Sequence, residues 1–145
     1  LDAAEAICAD ADIPPTMDAL EGLERLADGS LLQRVEPAAG DTRFRLLETI
    51  REYALERLAA SGEVDDVRER HAAFFLTLAE HEQARRYQPG AAAWLFRLEQ
   101  DHANFRAALQ WWTERGEVER ALRLATALAR FWVDRGYRLA DRSRA

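Results

Sequence analysis

Apolar positions along this chain fall into two periods, and the switches between them lay out its elements. Ala4, Ile7 and Cys8 sit at helical spacing in LDAAEAICAD and predict a short first helix. Pro14 and Pro15 break it, since proline has no amide hydrogen with which to continue a helix, and Thr16 can cap the next one. Met17, Leu20, Leu23 and Ala27 line one side of a second helix, which Gly29 is expected to stop. Past Gly29 the period drops to two. SLLQRVE and TRFRLL alternate around Pro37 and Gly40, which predicts a β-hairpin with Phe44 and Leu46 facing inward and Arg43 and Arg45 facing water.

From Glu48 the helical period returns. Leu47, Ile50, Ala54 and Leu58, with Tyr53 beside them, predict a packed stripe ending at Ser61 and Gly62. A longer helix is expected from Glu63 to about Arg86, with Val64, Val67, His71, Phe74, Phe75 and Leu78 as its stripe. Beyond YQPGA, Trp94, Leu98, His102, Phe105, Leu109 and Trp112 share one face, as one long helix or as two meeting near Asp101. Val118, Ala121, Leu122, Ala125, Leu128 and Trp132 define the last full helix. The short turns SGEVDD and RGEVER place a Gly helix stop before a Glu in the next first turn, so successive helices should run antiparallel. The fold class expected is mainly α, with one β-hairpin followed by antiparallel helical hairpins.

Composition narrows the class of protein. With 145 residues, 48% of them hydrophobic and 32% charged, the chain can build one domain, or two small ones, around a real core. All 20 basic residues are Arg. The single cysteine, Cys8, excludes an internal disulfide and suits a reducing compartment. No apolar run approaches the ~20 residues that span a bilayer. A cytoplasmic location without a membrane partner is therefore expected. The chain opens on Leu1 in mid-pattern and reads as a piece of something longer.

Catalytic patterns do not emerge. HEQAR, His81 to Arg85, brushes against the zinc-protease pattern HExxH but places Arg85 where the second imidazole belongs. His71 and His102 lie on apolar stripes, Cys8 has no histidine near it in sequence, and the glycines form no phosphate loop. The acidic pairs Asp65–Asp66 and Glu80 with Glu82 are expected on solvated helix faces. No enzyme is expected, and no metal or cofactor in this chain.

The order helix, helix, hairpin is that of a winged helix, which raises DNA binding. Its second helix, Thr16 to Asp28, would read the groove, yet it carries Asp18, Glu21, Glu24 and Asp28 against Arg25. Up to Gln33 the chain holds eight acids and one Arg, so the whole net charge of −6 lies in the first quarter. Phosphate neutralisation supplies most affinity for DNA, so Arg34, Arg43 and Arg45 on the hairpin do not offset that head. Direct nucleic-acid binding is expected to be absent, with a DNA-contacting winged-helix domain as the alternative.

At RFRLLETIREYALERLAASGEVDDVRERHAAFFLTLAE, with LDAAEAIC, LEGLERLADGSLLQR and WLFRLEQDHANFRAALQWW, the chain resembles a known region. That region follows the ATPase core in large bacterial STAND-class regulators, the NB-ARC-type signal-transduction ATPases with LuxR-type or related DNA-binding domains. The resemblance covers nearly all of the chain. It implies a partial winged helix over 1–60 whose first helix lies upstream, with LDAAEAIC as the second. A helical linker over 61–100 and a truncated tetratricopeptide-like hairpin over 101–145 would follow. Phe105 takes the usual Trp position of that repeat, Trp112 the Tyr, Gly116 the mid-repeat Gly and Ala121 the first small residue. Leu128 and Val133 depart from it, standing where a second small residue and a Pro are usual.

The resemblance also implies partners. These are the protein's own upstream ATPase domain, where ATP or ADP would bind, downstream helical repeats, and an inducer or partner protein. Leu46, Leu47 and Glu48 lie over a Met-His-Asp motif whose His touches bound ADP in many relatives. Two readings stay open. Glu48 or Arg45 takes over that contact, or Leu47 is core and Glu48 only favours its helix N-terminus. The end of the chain should expose a sticky surface, and Trp111, Phe131, Trp132 and Tyr137 are the candidate interface residues. The function implied is a non-catalytic module coupling a nucleotide-switched core to a helical-repeat sensor inside a transcriptional regulator.

Overall fold

The computed structural model describes residues 2–8, 19–35, 42–85 and 91–135, the side chains of 91–94 excepted. In chain order these form α1 (Asp2–Cys8), α2 (Ala19–Asp28), β1 (Leu32–Val35), β2 (Arg43–Leu46) and α3 (Glu48–Ser61). Then come α4 (Val64–Arg85), α5 (Ala91–Gln100), α6 (His102–Arg115) and α7 (Val118–Asp134). The fold is mainly α, with one two-stranded antiparallel sheet and a partial winged helix. The chain divides into two compact units, Leu1–His71 and Ala72–Ala145. The boundary between these units falls inside α4, a helix without Gly or Pro. Thr16, Met17 and the turn at Pro37 and Gly40 lie outside the described residues.

In the first unit α1 packs beside α2, and α2 beside β1. The stop expected at Gly29 is made one residue later. Ser30 takes the left-handed conformation, φ 60°. Its amide donates to the Ala27 carbonyl at 2.9 Å, and the Leu31 amide reaches back to the Leu26 carbonyl at 2.9 Å. This is a Schellman closure with a serine where glycine is usual. The hairpin pairs Leu32 with Leu46 and Arg34 with Phe44 on one face, and Gln33 with Arg45 and Val35 with Arg43 on the other. Leu32 is buried, Phe44 and Leu46 are half-buried, and Arg45 is exposed. Arg43, expected in water, is half-buried, which its aliphatic stem permits. The stripe expected on α3 is only partly covered: Ile50 and Leu58 are half-buried, whereas Leu47 and Ala54 are exposed and no α3 residue is buried.

The second unit holds the apolar core. The α4 stripe turns out to be centred on Ala72, Phe75, Leu76, Ala79 and Glu82, with Phe74 and Leu78 only half-buried beside it. The Phe75 ring meets Phe105 of α6 edge-on, 5.6 Å between centroids at 89°. The apolar face after YQPGA belongs to two helices, α5 and α6, broken at Asp101. Leu98, Phe105, Ala108, Trp111 and Trp112 are buried there. Gly116, φ 74°, closes α6, its amide donating to the Thr113 carbonyl and the Glu117 amide to the Trp112 carbonyl at 2.9 Å. The chain then reverses into α7. That helix buries Leu124, Ala127, Leu128 and Phe131, a face rotated away from the expected one, while Val118 and Leu122 are 64% and 62% exposed.

Two outcomes follow for equilibrium unfolding. Ser30→Gly should stabilise the first unit by about 1 kcal/mol, since a non-glycine left-handed residue costs roughly 1–2 kcal/mol. Phe131→Ala should cost about 3–5 kcal/mol of the second unit's stability. Leu122→Ala on the opposite side of α7 should stay within ~0.5 kcal/mol of the parent. Urea titrations followed by circular dichroism and tryptophan emission read both.

Candidate interaction site

The first surface is the junction where β2 passes into α3. Arg45, Leu47 and Glu48 follow one another there and all are exposed, Leu47 to 43%. Leu47 takes the N-cap position in extended conformation, and no side chain caps the helix. Its carbonyl accepts from the Arg51 amide at 2.8 Å. Glu48 accepts from Arg51 Nη1 at 3.3 Å across one helical turn. Among the described residues Leu47 is therefore not part of the first unit's interior. Tyr53 and Leu55 on α3, Val35 on β1, and Leu26 and Leu31 around the end of α2 are exposed as well. The first unit is thus rich in uncovered apolar surface and buries Leu32 alone among its described residues.

α2 presents Glu21, Glu24 and Asp28 with Arg25, whose guanidinium is drawn to Glu21 at 2.6 Å. This leaves the helix with an acidic surface. Of the hairpin's arginines, Arg34 on β1 and Arg45 on β2 are exposed and Arg43 is half-buried.

The second unit treats the sequence-derived candidates unevenly. Trp111 is buried at 8% exposure and Phe131 at 0%, so both belong to the core and not to an outer surface. Arg115 stacks over the Trp111 ring at 4.5 Å. Trp132 is half-buried, and Tyr137 lies outside the described residues. The exposed apolar residues of α7 are Val118, Leu122 and Val133 instead, the last 71% exposed. Val118 and Leu122 belong to the stripe expected to pack, and they lie at one end of a broad apolar arc of which only the other end is buried.

The acidic pair Glu80 and Glu82 also departs from expectation. Glu80 receives a two-pronged hydrogen bond from Arg123 of α7, Nε to Oε1 and Nη2 to Oε2, both at 2.9 Å. Gln83 donates to the Thr126 carbonyl at 3.4 Å beside it. Glu82 is buried at 3% exposure, with Arg97 of α5 3.7 Å and His81 3.8 Å from its Oε1. Its position three residues after Ala79, on the Phe75 face, was the available signal. These carboxylates hold α4 against its neighbours, and Arg135 with Glu99 of α5 adds a 3.1 Å ion pair near the end of α7. Among the described residues no three His, Cys, Asp or Glu side chains converge on a metal position. No described helix is long and apolar enough to cross a membrane.

His102 opens α6 with its ring 5.9 Å from that of Phe131. Burial, reinforced by the positive charge of Arg106, lowers its pKa, and Glu99 opposes the change.

Over 94% of its length the chain is 38% identical to proteins from two strains of Mycobacterium tuberculosis and one of Mycobacterium bovis. Each bears the name "Putative HTH-type transcriptional regulator". The chain spans about 15% of the length of these curated relatives. No protein-family model and no solved structure matches it.

The lowered pKa of His102 fixes a sign. The unfolded chain takes up this proton first, so the stabilisation is complete above the unfolded value of about 6.5. It is lost as pH falls toward the folded value. Thermal unfolding midpoints should therefore drop on acidification below neutrality, and His102→Gln should drop less than the parent over the same range.

Proposed function

We propose that this chain is a non-catalytic coupling module of a larger transcriptional regulator, relaying a nucleotide-dependent switch from an ATPase core to a helical-repeat sensor. The observation that carries this reading is the similarity itself. It runs over nearly the whole chain yet covers 15% of relatives named as HTH-type regulators, so the chain matches one part of a much longer protein. In this reading the first unit faces the ATPase core, which holds ATP or ADP, and the second unit belongs with downstream repeats that receive an inducer or partner protein. The exposed Arg45, Leu47 and Glu48 junction supports the first assignment, because its residues are not consumed by internal packing.

The mechanism is a shift between two docked arrangements. A surface with much uncovered apolar area gains free energy in whichever arrangement covers it, so differential contact in two nucleotide states can select between arrangements. Leu47 offers no hydrogen-bond donor to a phosphate; Arg45 and Glu48 are the polar groups through which the junction would sense the bound nucleotide. The module acts in the cytoplasm and does not itself grip DNA, which the acidic surface of α2 supports.

The second reading, a DNA-contacting winged-helix domain, draws on the relatives' name and on the exposed Arg45. Fluorescence anisotropy of labelled duplexes titrated with the chain separates the two. Flat titrations at moderate salt are expected. Binding that weakens steeply as salt rises would overturn the coupling role in favour of DNA contact.

A further inference from the structure

We infer that α5 is a releasable flap of the second unit: Glu82 and Arg97 set its place on α4 without fastening it, so it opens while α4, α6 and α7 stay joined. Glu82 continues the buried line of α4, after Ala72, Phe75, Leu76 and Ala79, and is itself 3% exposed. Among the described residues its carboxylate meets no group at hydrogen-bond distance. Arg97 Nη1 of α5 stands 3.7 Å and His81 Nδ1 3.8 Å from Oε1, and Oε2 is buried without a hydrogen-bond partner. Taking a carboxylate out of water costs free energy that only well-made bonds return. Glu80, two residues earlier on α4, shows the contrast. It is partly open to water, yet takes two 2.9 Å bonds from Arg123 of α7. The helix α4 is thus firmly bonded to α7 and loosely paired with α5.

The rest of α5 has little else to hold it. Of its described side chains Leu98 alone is buried, and Phe96 is exposed. It is 10 residues long. Isolated helices shorter than about 12–15 residues are marginal in water, so α5 depends on being docked. Arg135 reaches Glu99 of α5 at 3.1 Å, with both side chains open to water, where an ion pair adds little. The chain also has a joint at the right place. Asp101, between α5 and α6, leaves the helical conformation at φ −100° and ψ 8°, so α5 can swing there with α6 intact. Opening returns Glu82 to water, which offsets part of the exposure of Leu98. The interior left behind lies outside α5: Phe105, Trp112, Leu124, Leu128 and Phe131 are on α6 and α7, and Phe75 of α4 meets Phe105. A helix that opens at small cost gives the second unit a docked and a released state, between which a bound partner can select.

Hydrogen–deuterium exchange of the whole chain, read by mass spectrometry, tests this. Amides of residues 96–100 should exchange at least about tenfold faster than those of residues 124–131, because they open locally. Glu82→Met should slow exchange in α5 by about tenfold and leave α7 unchanged, since it removes a buried charge at similar volume. Arg97 is half exposed and is not stranded by the change. Glu82→Gln, neutral and of the same shape, should shift α5 in the same direction. Faster exchange of α5 in Glu82→Met overturns the inference, because Glu82 would then be an anchor that fastens the helix. Unchanged exchange overturns it too, as do parent amides of α5 protected as well as those of α7. Where Glu82→Met disturbs α7 as well, Glu82→Gln decides by the same sign. None of these outcomes bears on the DNA titration that tests the coupling role.

Discussion

The packing of α6 against α7 carries the second unit. Trp112, Leu124, Leu128 and Phe131 are each fully buried, and Phe105 reaches from α6 to Phe75 on α4. This contact is available because Gly116 turns the chain back immediately after Arg115, in a conformation that a side chain would strain. With the reversal made, Arg123 comes within reach of Glu80 and Gln83 of Thr126, so the polar bonds that join α4 to α7 follow from the apolar layer. Such pairs are exposed and individually weak; they fix orientation after burial has supplied most of the free energy.

The two units differ in kind. The second has a layered interior, with a buried carboxylate, Glu82, held between α4 and α5. The first has a regular hairpin and three helices but buries only Leu32 among its described residues, and much of its apolar surface stays uncovered. Surfaces of that kind gain free energy by being covered. A unit with little interior of its own gains from cover by another surface, and that is the physical ground on which the proposed coupling role rests.

Much of the fold was legible in the chain. Period two at SLLQRVE and TRFRLL gave the hairpin and its inward Phe44 and Leu46, since alternation has no helical counterpart over that length. Gly62 and Gly116 were readable as helix stops, and both take the left-handed conformation. Less was legible of the surfaces. Trp111 sits one residue off the stripe that holds Trp112, yet both are buried, and Arg115 stacks over the Trp111 ring. Glu82 was assigned to water by its charge, although its position set it on the buried face. Ser30 was missed because serine gives no signal for a left-handed conformation; the adjacent Gly29 does.

The sequence by itself determined which segments are helices and strands and where they stop, because period, glycine and proline act through the local backbone. It also determined that the apolar positions of α7 fill one broad arc, with Glu119, Arg123, Thr126 and Arg130 on the remainder. Which part of that arc goes inward was decided by tertiary structure alone. Burial against α6 and α4 depends on the azimuth at which α7 arrives after Gly116, and that angle is a property of the assembled unit, not of any local run of residues. The same holds for Leu47: its pattern placed it on a helical stripe, and only the absence of a covering neighbour among the described residues left it at the surface.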